Sequence, residues 1–275
     1  MGFLDKTSAG WQIAQNSLKV LKANKSLIVF PLLSGISITV LMTSFIIAIM
    51  GVAGWDMGNI EKPDTFFTYF IIFAFYIVNY FIVVFFNMAL IHCASLYFKG
   101  EEPTVKKGID FSMSKIGNIF TWALFAGSVG AVLKIVQQET GVIGKIITGI
   151  IGIVWNIATF FVVPVIAYEN MGPIDAFKRS SSLMKEKWGQ SIGASFSFGL
   201  IQLGILALIA VVSFLIGMIN PIAGIAIAVL AVLLMVTVFS AAKTIFVSAV
   251  YHNVTGDPVE NYDQHFIDNL FESKK

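Results

Sequence analysis

Long apolar runs separated by short polar stretches set the pattern of this chain. Uncharged segments cover 27–53, 66–98, 116–133 and 146–168, and a further block from 188 to 242 carries no charged side chain. A bilayer hydrocarbon layer about 30 Å thick is crossed by roughly 20 apolar residues in a helix. Each of the first four segments therefore predicts one spanning helix. The last block is too long for one span and is broken once, at Asn220-Pro221, a turn-forming pair. It reads as two helices, the second continuing through Lys243 to Tyr251. The expected fold is all-α, a polytopic bundle of six transmembrane helices.

Between the helix pairs the pattern changes to stripes at helical spacing. Trp11, Ala14, Leu18 and Leu21 form the first stripe, and Val105, Ile109, Met113 and Ile116 the second. Ile174, Phe177, Ser181, Met184 and Trp188 form the third. Lysines flank all three, as they do on amphipathic helices lying among lipid headgroups. Trp11, Lys19, Lys22, Phe177, Arg179 and Trp188 are the expected contacts with the membrane interface. The tail carries a shorter version, with Phe266, Ile267, Leu270 and Phe271 on one face after an Asp257-Pro258 start.

The predicted organisation is one membrane domain over 1–275. It has an interfacial helix in 1–26 and helix pair one at 27–98. An interfacial segment and helix pair two fill 103–168, and an interfacial helix and helix pair three fill 173–251. Residues 252–275 form a cytoplasmic tail. Tyr97, Tyr168 and Tyr251 close the even-numbered helices, and each is followed within five to seven residues by a proline: Pro103, Pro173 or Pro258. One reading is a helix-pair unit used three times. The other is that tyrosines populate an interfacial belt while glycine and proline simply end helices.

Composition and charge sharpen this picture. Hydrophobic residues make up 57% and charged residues 12% of the sequence, outside the range of soluble domains. Of the 18 Lys and Arg, fourteen fall on one side of the predicted spans. They lie before helix one, between helices two and three, between four and five, and in the tail. The other side has only Lys62, Lys134 and Lys145, and Lys243 lies within helix six. The positive-inside rule then puts both termini in the cytoplasm. Residues 1–25 lack the apolar core of a cleavable signal. No basic patch points to nucleic acid. The single cysteine, Cys93, forms no internal disulfide and reads as a packing residue.

The stretches SLKVLKANKSLIVFPLLSGI and KRSSSLMKEKWGQSIG resemble an uncharacterised prokaryotic family of six-helix integral membrane proteins. More distantly, the chain is similar to the membrane domain attached to some glycerophosphodiester phosphodiesterases. The catalytic barrel of those enzymes has no counterpart here. The resemblance implies a fold and a multi-pass place in a prokaryotic plasma (inner) membrane, not an activity.

Chemistry within a bilayer needs polar groups there, since burying them is costly. Tyr76, Asn79, Tyr80 and Asn87 share one side of helix two. Gly149, Gly152, Asn156 and Thr159 share a face of helix four, and Ser191, Ser195, Gln202 and Ser213 a face of helix five. Asn79, Asn87, Asn156, Gln202 and Lys243 are the candidate intramembrane polar site. Lys243 is expected in a polar crevice, with a snorkelling or Glu169-paired lysine as the alternative. No carboxylate lies in a spanning core, which argues against coupling through a buried acid. His92, His252 and His265 are scattered, no cofactor is implied, and no metal or hydrolase motif occurs.

Two functions remain. The first is a non-catalytic module that binds membrane lipids, or a protein partner through its cytoplasmic segments or tail, and organises them. The second is a small transporter or channel for a neutral or anionic solute. Interrupted helices at matching places, the mark of many transporters, are not evident in the sequence. The first reading is preferred.

Overall fold

The computed structural model describes residues 15–52, 54–55, 65–188 and 193–257. Among them the ordered elements are helical. A first helix, α1, covers residues 15–23. A 3-10 turn, Lys25–Ile28, leads into α2 (Val29–Val52). Then follow α3 (Thr65–Phe98), α4 (Val105–Ser114), α5 (Ile116–Glu139), α6 (Gly141–Ala158) and α7 (Val162–Glu169). The last are α8 (Pro173–Trp188), α9 (Gly193–Ile219) and α10 (Pro221–Val254).

Among the described residues six stretches are long and apolar enough to cross a membrane: Lys25–Gly51, Tyr69–Phe98, Ile116–Gln137, Gly144–Glu169, Ile201–Ile219 and Pro221–Val254. They coincide with the six segments expected from the sequence. Helix four is assembled from α6 and α7. The chain divides into two compact units, one of Met1–Pro31, Leu90–Val105 and Lys185–Lys275, the other of Leu32–Ala89 and Lys106–Met184.

In the first unit α9 and α10 form an antiparallel hairpin. Asn220 caps α10: its side-chain oxygen accepts the Ala223 N–H at 3.1 Å, and Pro221 opens the helix where no N–H partner is needed. Next to this turn the two backbones nearly touch. A methyl added at Gly224 would come within 2.6 Å of Gly217 Cα, so only glycine fits there. The first half of α10 is otherwise largely exposed, whereas Thr237–His252 is mostly buried. That buried half packs against the Lys25–Ile28 turn, and Ser248 Oγ donates to Ile91 O of α3 at 3.4 Å.

In the second unit α5 and α6 pair along a seam that stacks Trp122 on Trp155, ring centres 6.1 Å apart. Phe45 of α2 meets Phe75 of α3 edge-on at 5.3 Å. The connection between the segments at 116–133 and 146–168 shrinks almost to one residue. Helix α5 runs on to Glu139, and Gly141, at φ +60°, lets α6 begin after Thr140 alone.

The ends of α3 and α10 share one hydrogen-bond pattern. The Glu101 N–H donates to Leu96 O around Gly100 (φ +74°), and the Asp257 N–H donates to His252 O around Gly256 (φ +84°), both at 2.9 Å. These are the six-to-one bonds of a Schellman cap. Helix α7 likewise ends on a left-handed residue, Asn170 (φ 52°). Tyr97, Tyr168 and Tyr251 stand at different offsets from these caps. The helix-end geometry recurs, while the register of the tyrosines does not.

Candidate functional site

Three amphipathic segments precede the odd-numbered spans, and each turns a serine fully inward: Ser17, Ser112 and Ser180 are 0% exposed. On α4 the buried residues are Gly108 and Ser112, while Met113 and the following Ile116 are exposed. On α8 they are Ala176, Ser180, Leu183 and Met184, while Ile174 is exposed. Small residues let a helix approach its neighbour closely, and the hydroxyl then reaches that neighbour's backbone. Ser112 Oγ donates to Phe85 O of α3 at 2.9 Å.

Ser180 serves a break in helix four. The ring of Pro164 removes an N–H and crowds the carbonyl four residues earlier, that of Phe160. The helix accordingly opens at Thr159–Phe161. Val162 N–H falls back on a tight bond to Thr159 O, and Val165 N–H resumes α-helical bonding to Phe161 O. The Phe161 N–H, displaced from the ladder, donates to Ser180 Oγ at 3.0 Å.

Around this junction lies an aromatic cluster. Trp155 stacks on Phe177 of α8, ring centres 5.5 Å apart, and Phe125 sits edge-on to Phe177 at 6.3 Å. Trp155 of α6 also lies beside Tyr80 of α3. Phe177, expected at the membrane interface, thus has much of its ring against protein.

Beyond the junction is a polar cluster that the sequence did not reveal. Arg179 Nε donates to both carboxylate oxygens of Glu169, at 3.0 and 3.2 Å. Glu169, considered as a partner for Lys243, is held by Arg179. On the next residue, Asn170 Oδ1 accepts from Lys115 Nζ at 3.0 Å and from Asn118 Nδ2 at 3.4 Å.

The five candidate polar residues divide between the units. Asn79 and Asn87 are half-buried on α3, and Asn156 is exposed on α6. Gln202 is half-buried on α9. Lys243 is exposed on α10, as is Ser240, while Thr244 and Tyr251 of the same helix are buried. Lys19 and Lys22 are exposed on α1, beside buried Ser17, Val20 and Leu21. Trp188 is the last residue of α8. Trp11 and the expected tail helix lie outside the described residues.

Two further features were missed. His252 Nδ1 lies 3.2 Å from Asp257 Oδ2, an approach that the Gly256 cap creates by folding the chain back five residues. An apolar crevice of about 400 Å³ follows the α9–α10 turn, lined by Phe214, Met218 and Ile225 among others. The buried Ser213 hydroxyl there has no hydrogen-bond partner among the described residues. No group of three His, Cys, Asp or Glu that could hold a metal ion occurs among the described residues.

These features define an all-α multi-pass membrane protein whose amphipathic helices dock through small residues. Over residues 66–258, helices two to six, the chain matches a family of unknown function (DUF6159), and it belongs to that family. No curated protein matches it.

Proposed function

We propose that the protein is a non-catalytic membrane module that binds lipid, or a partner at the lipid surface, and organises it at the cytoplasmic face. The observation that carries this reading is the orientation of α4 and α8. Helix α4 turns Gly108 and Ser112 inward and α8 turns Ala176, Ser180, Leu183 and Met184 inward, and each leaves a large apolar residue, Met113 or Ile174, exposed near lysines. A helix with exposed apolar residues and a basic flank is suited to the headgroup layer. The same reading includes a prokaryotic inner membrane, cytoplasmic termini and a distant kinship with the membrane domain of glycerophosphodiester phosphodiesterases.

The second reading, a small transporter for a neutral or anionic solute, draws on the break at Thr159–Phe161, because discontinuous helices often mark transport sites. Two things weigh against it. The Phe161 N–H is already bonded to Ser180, and α3 and α10 each run 34 residues with no corresponding interruption.

Reconstitution into liposomes separates the two. Labelled anionic lipid should be enriched around the protein, measured by energy transfer from a protein-bound donor, while the vesicles stay tight to small neutral and anionic solutes. Protein-dependent solute flux without lipid enrichment would establish the transporter instead.

A further inference from the structure

The turn between α7 and α8 gathers more hydrogen-bond donors than the protein itself uses. Glu169 and Asn170 are consecutive, and a cation is bonded to each: Arg179 to Glu169 and Lys115 to Asn170. Arg179 is bound only through Nε, so among the described residues its two terminal amino groups bond nothing. Its side chain is 38% exposed and that of Glu169 21% exposed. The Lys115 ammonium has three N–H bonds and gives one to Asn170; the Asn118 amide has two and also gives one there. With one carboxylate against two cations, the cluster carries a net positive charge.

Its position matters as much as its charge. Lys115 immediately precedes the span Ile116–Gln137, and Glu169 ends the span Gly144–Glu169. Both therefore lie where hydrocarbon gives way to lipid phosphate. The N-terminus of α5 adds to the field: Lys115 stands at the cap position and no side chain caps the first N–H groups. The C-terminal carbonyls of α7 oppose it, and Lys115 lies on that side as a counter-charge.

We infer that Lys115, Asn118 and Arg179 form a binding site for the phosphate of an anionic phospholipid headgroup. Glu169 orients the arginine through Nε and leaves the two amino groups for paired bonds to phosphate oxygens, the geometry that arginine suits best. The site rests on the lipid-binding reading above and assigns it a place and a ligand class.

The test uses the full chain, purified in detergent, with bound lipid counted by native mass spectrometry. Phosphatidylglycerol, phosphatidylcholine and inorganic phosphate are the probes. Native protein should retain phosphatidylglycerol preferentially, with phosphate at the same concentration failing to displace it. Arg179→Gln and Lys115→Gln should each weaken retention about fivefold, roughly one charge's attraction at a membrane surface. Lys178→Gln, which removes a neighbouring exposed lysine paired with Asp175 at 3.9 Å, should leave retention unchanged. Lys115→Gln leaves the Arg179–Glu169 pair intact, so it decides the matter if Arg179→Gln fails to fold.

Equal losses at Lys178 and Arg179 would reduce the site to unspecific charge and overturn it. Equal retention of phosphatidylcholine would do the same, and displacement by phosphate would give the site to a soluble anion. If native protein prefers phosphatidylglycerol but Lys115→Gln and Arg179→Gln retain it fully, only the site fails. If native protein shows no lipid preference, the lipid-binding reading fails with it.

Discussion

Ser180 of α8 accepts the backbone N–H of Phe161, 3.0 Å away, at the point where helix four is broken. A spanning helix normally satisfies every backbone group within itself, because the hydrocarbon offers no partner. Here a proline forbids that, and a residue outside the span supplies what is missing. The bond therefore couples two features that look separate in sequence, a kink in a membrane helix and the docking of an amphipathic one. Trp155 and Phe177, stacked at 5.5 Å, hold the same two elements together by packing.

Removing that hydroxyl should be costly. Ser180 is 0% exposed, so Ser180→Ala leaves a buried N–H without its acceptor, a penalty of about 1–3 kcal/mol. Ser181 bonds mainly within its own helix, to Phe177 O at 2.8 Å. Ser181→Ala should stay within about 0.5 kcal/mol of native. Thermal unfolding in detergent measures both, and equal midpoints for the two variants would contradict the coupling.

Two glycines should respond with opposite signs. Gly224→Ala places a methyl 2.6 Å from Gly217 Cα and 2.7 Å from Ser213 O, forcing the hairpin apart at a cost of about 1–3 kcal/mol. Gly149 has nothing within 4 Å of an added methyl. Gly149→Ala should therefore gain up to about 1 kcal/mol of helix propensity. Urea or thermal denaturation of the two variants reads the sign directly.

The spans were legible in the sequence because the bilayer imposes a length and a composition that no local detail overrides. The segment expected at 66–98 is the helix Thr65–Phe98, and the break expected at Asn220-Pro221 is the turn before α10. The inward faces of the amphipathic helices were not legible. Bundle and bilayer are both apolar surroundings, so periodicity reveals the helix but not which side meets protein, and the choice fell on Ser112 and Ser180 over Met113 and Ile174. Pro164 lies within the fourth apolar segment, yet the opening sits at Thr159–Phe161, because the ring's clash falls on an earlier carbonyl. The Arg179–Glu169 and Lys115–Asn170 pairs join residues 10 and 55 positions apart. Only the fold brings those together.

Topology can be read by labelling, and the native cysteine does not interfere, since Cys93 is 0% exposed. Val142 and Glu101 are both exposed, at opposite ends of their spans. Val142→Cys should react with an impermeant maleimide on intact cells, and Glu101→Cys only after permeabilisation. Labelling of residue 101 from outside would reverse the orientation.

Lys243 offers the sharpest comparison of the two functions. Leu233, Val236, Ser240 and Lys243 are exposed at helical spacing on α10, so the lysine ends an otherwise weakly polar stripe, and among the described residues no hydrogen bond or ion pair holds it. A lysine on such a stripe snorkels, at a desolvation cost that reaches about 2.5–3.5 kcal/mol at mid-membrane and falls toward the ends. If the stripe faces lipid, Lys243→Leu removes that cost, and the melting temperature should hold or rise with lipid retention unchanged. A transporter that uses Lys243 to attract an anion would respond the other way, losing anion flux while lipid retention stays native. Lys243→Gln sharpens the contrast by keeping a polar end without charge: a lipid-facing site should tolerate it almost as well as leucine, whereas an anion path would lose flux in both. Native flux and unchanged stability in both variants would leave the lysine with no part in transport.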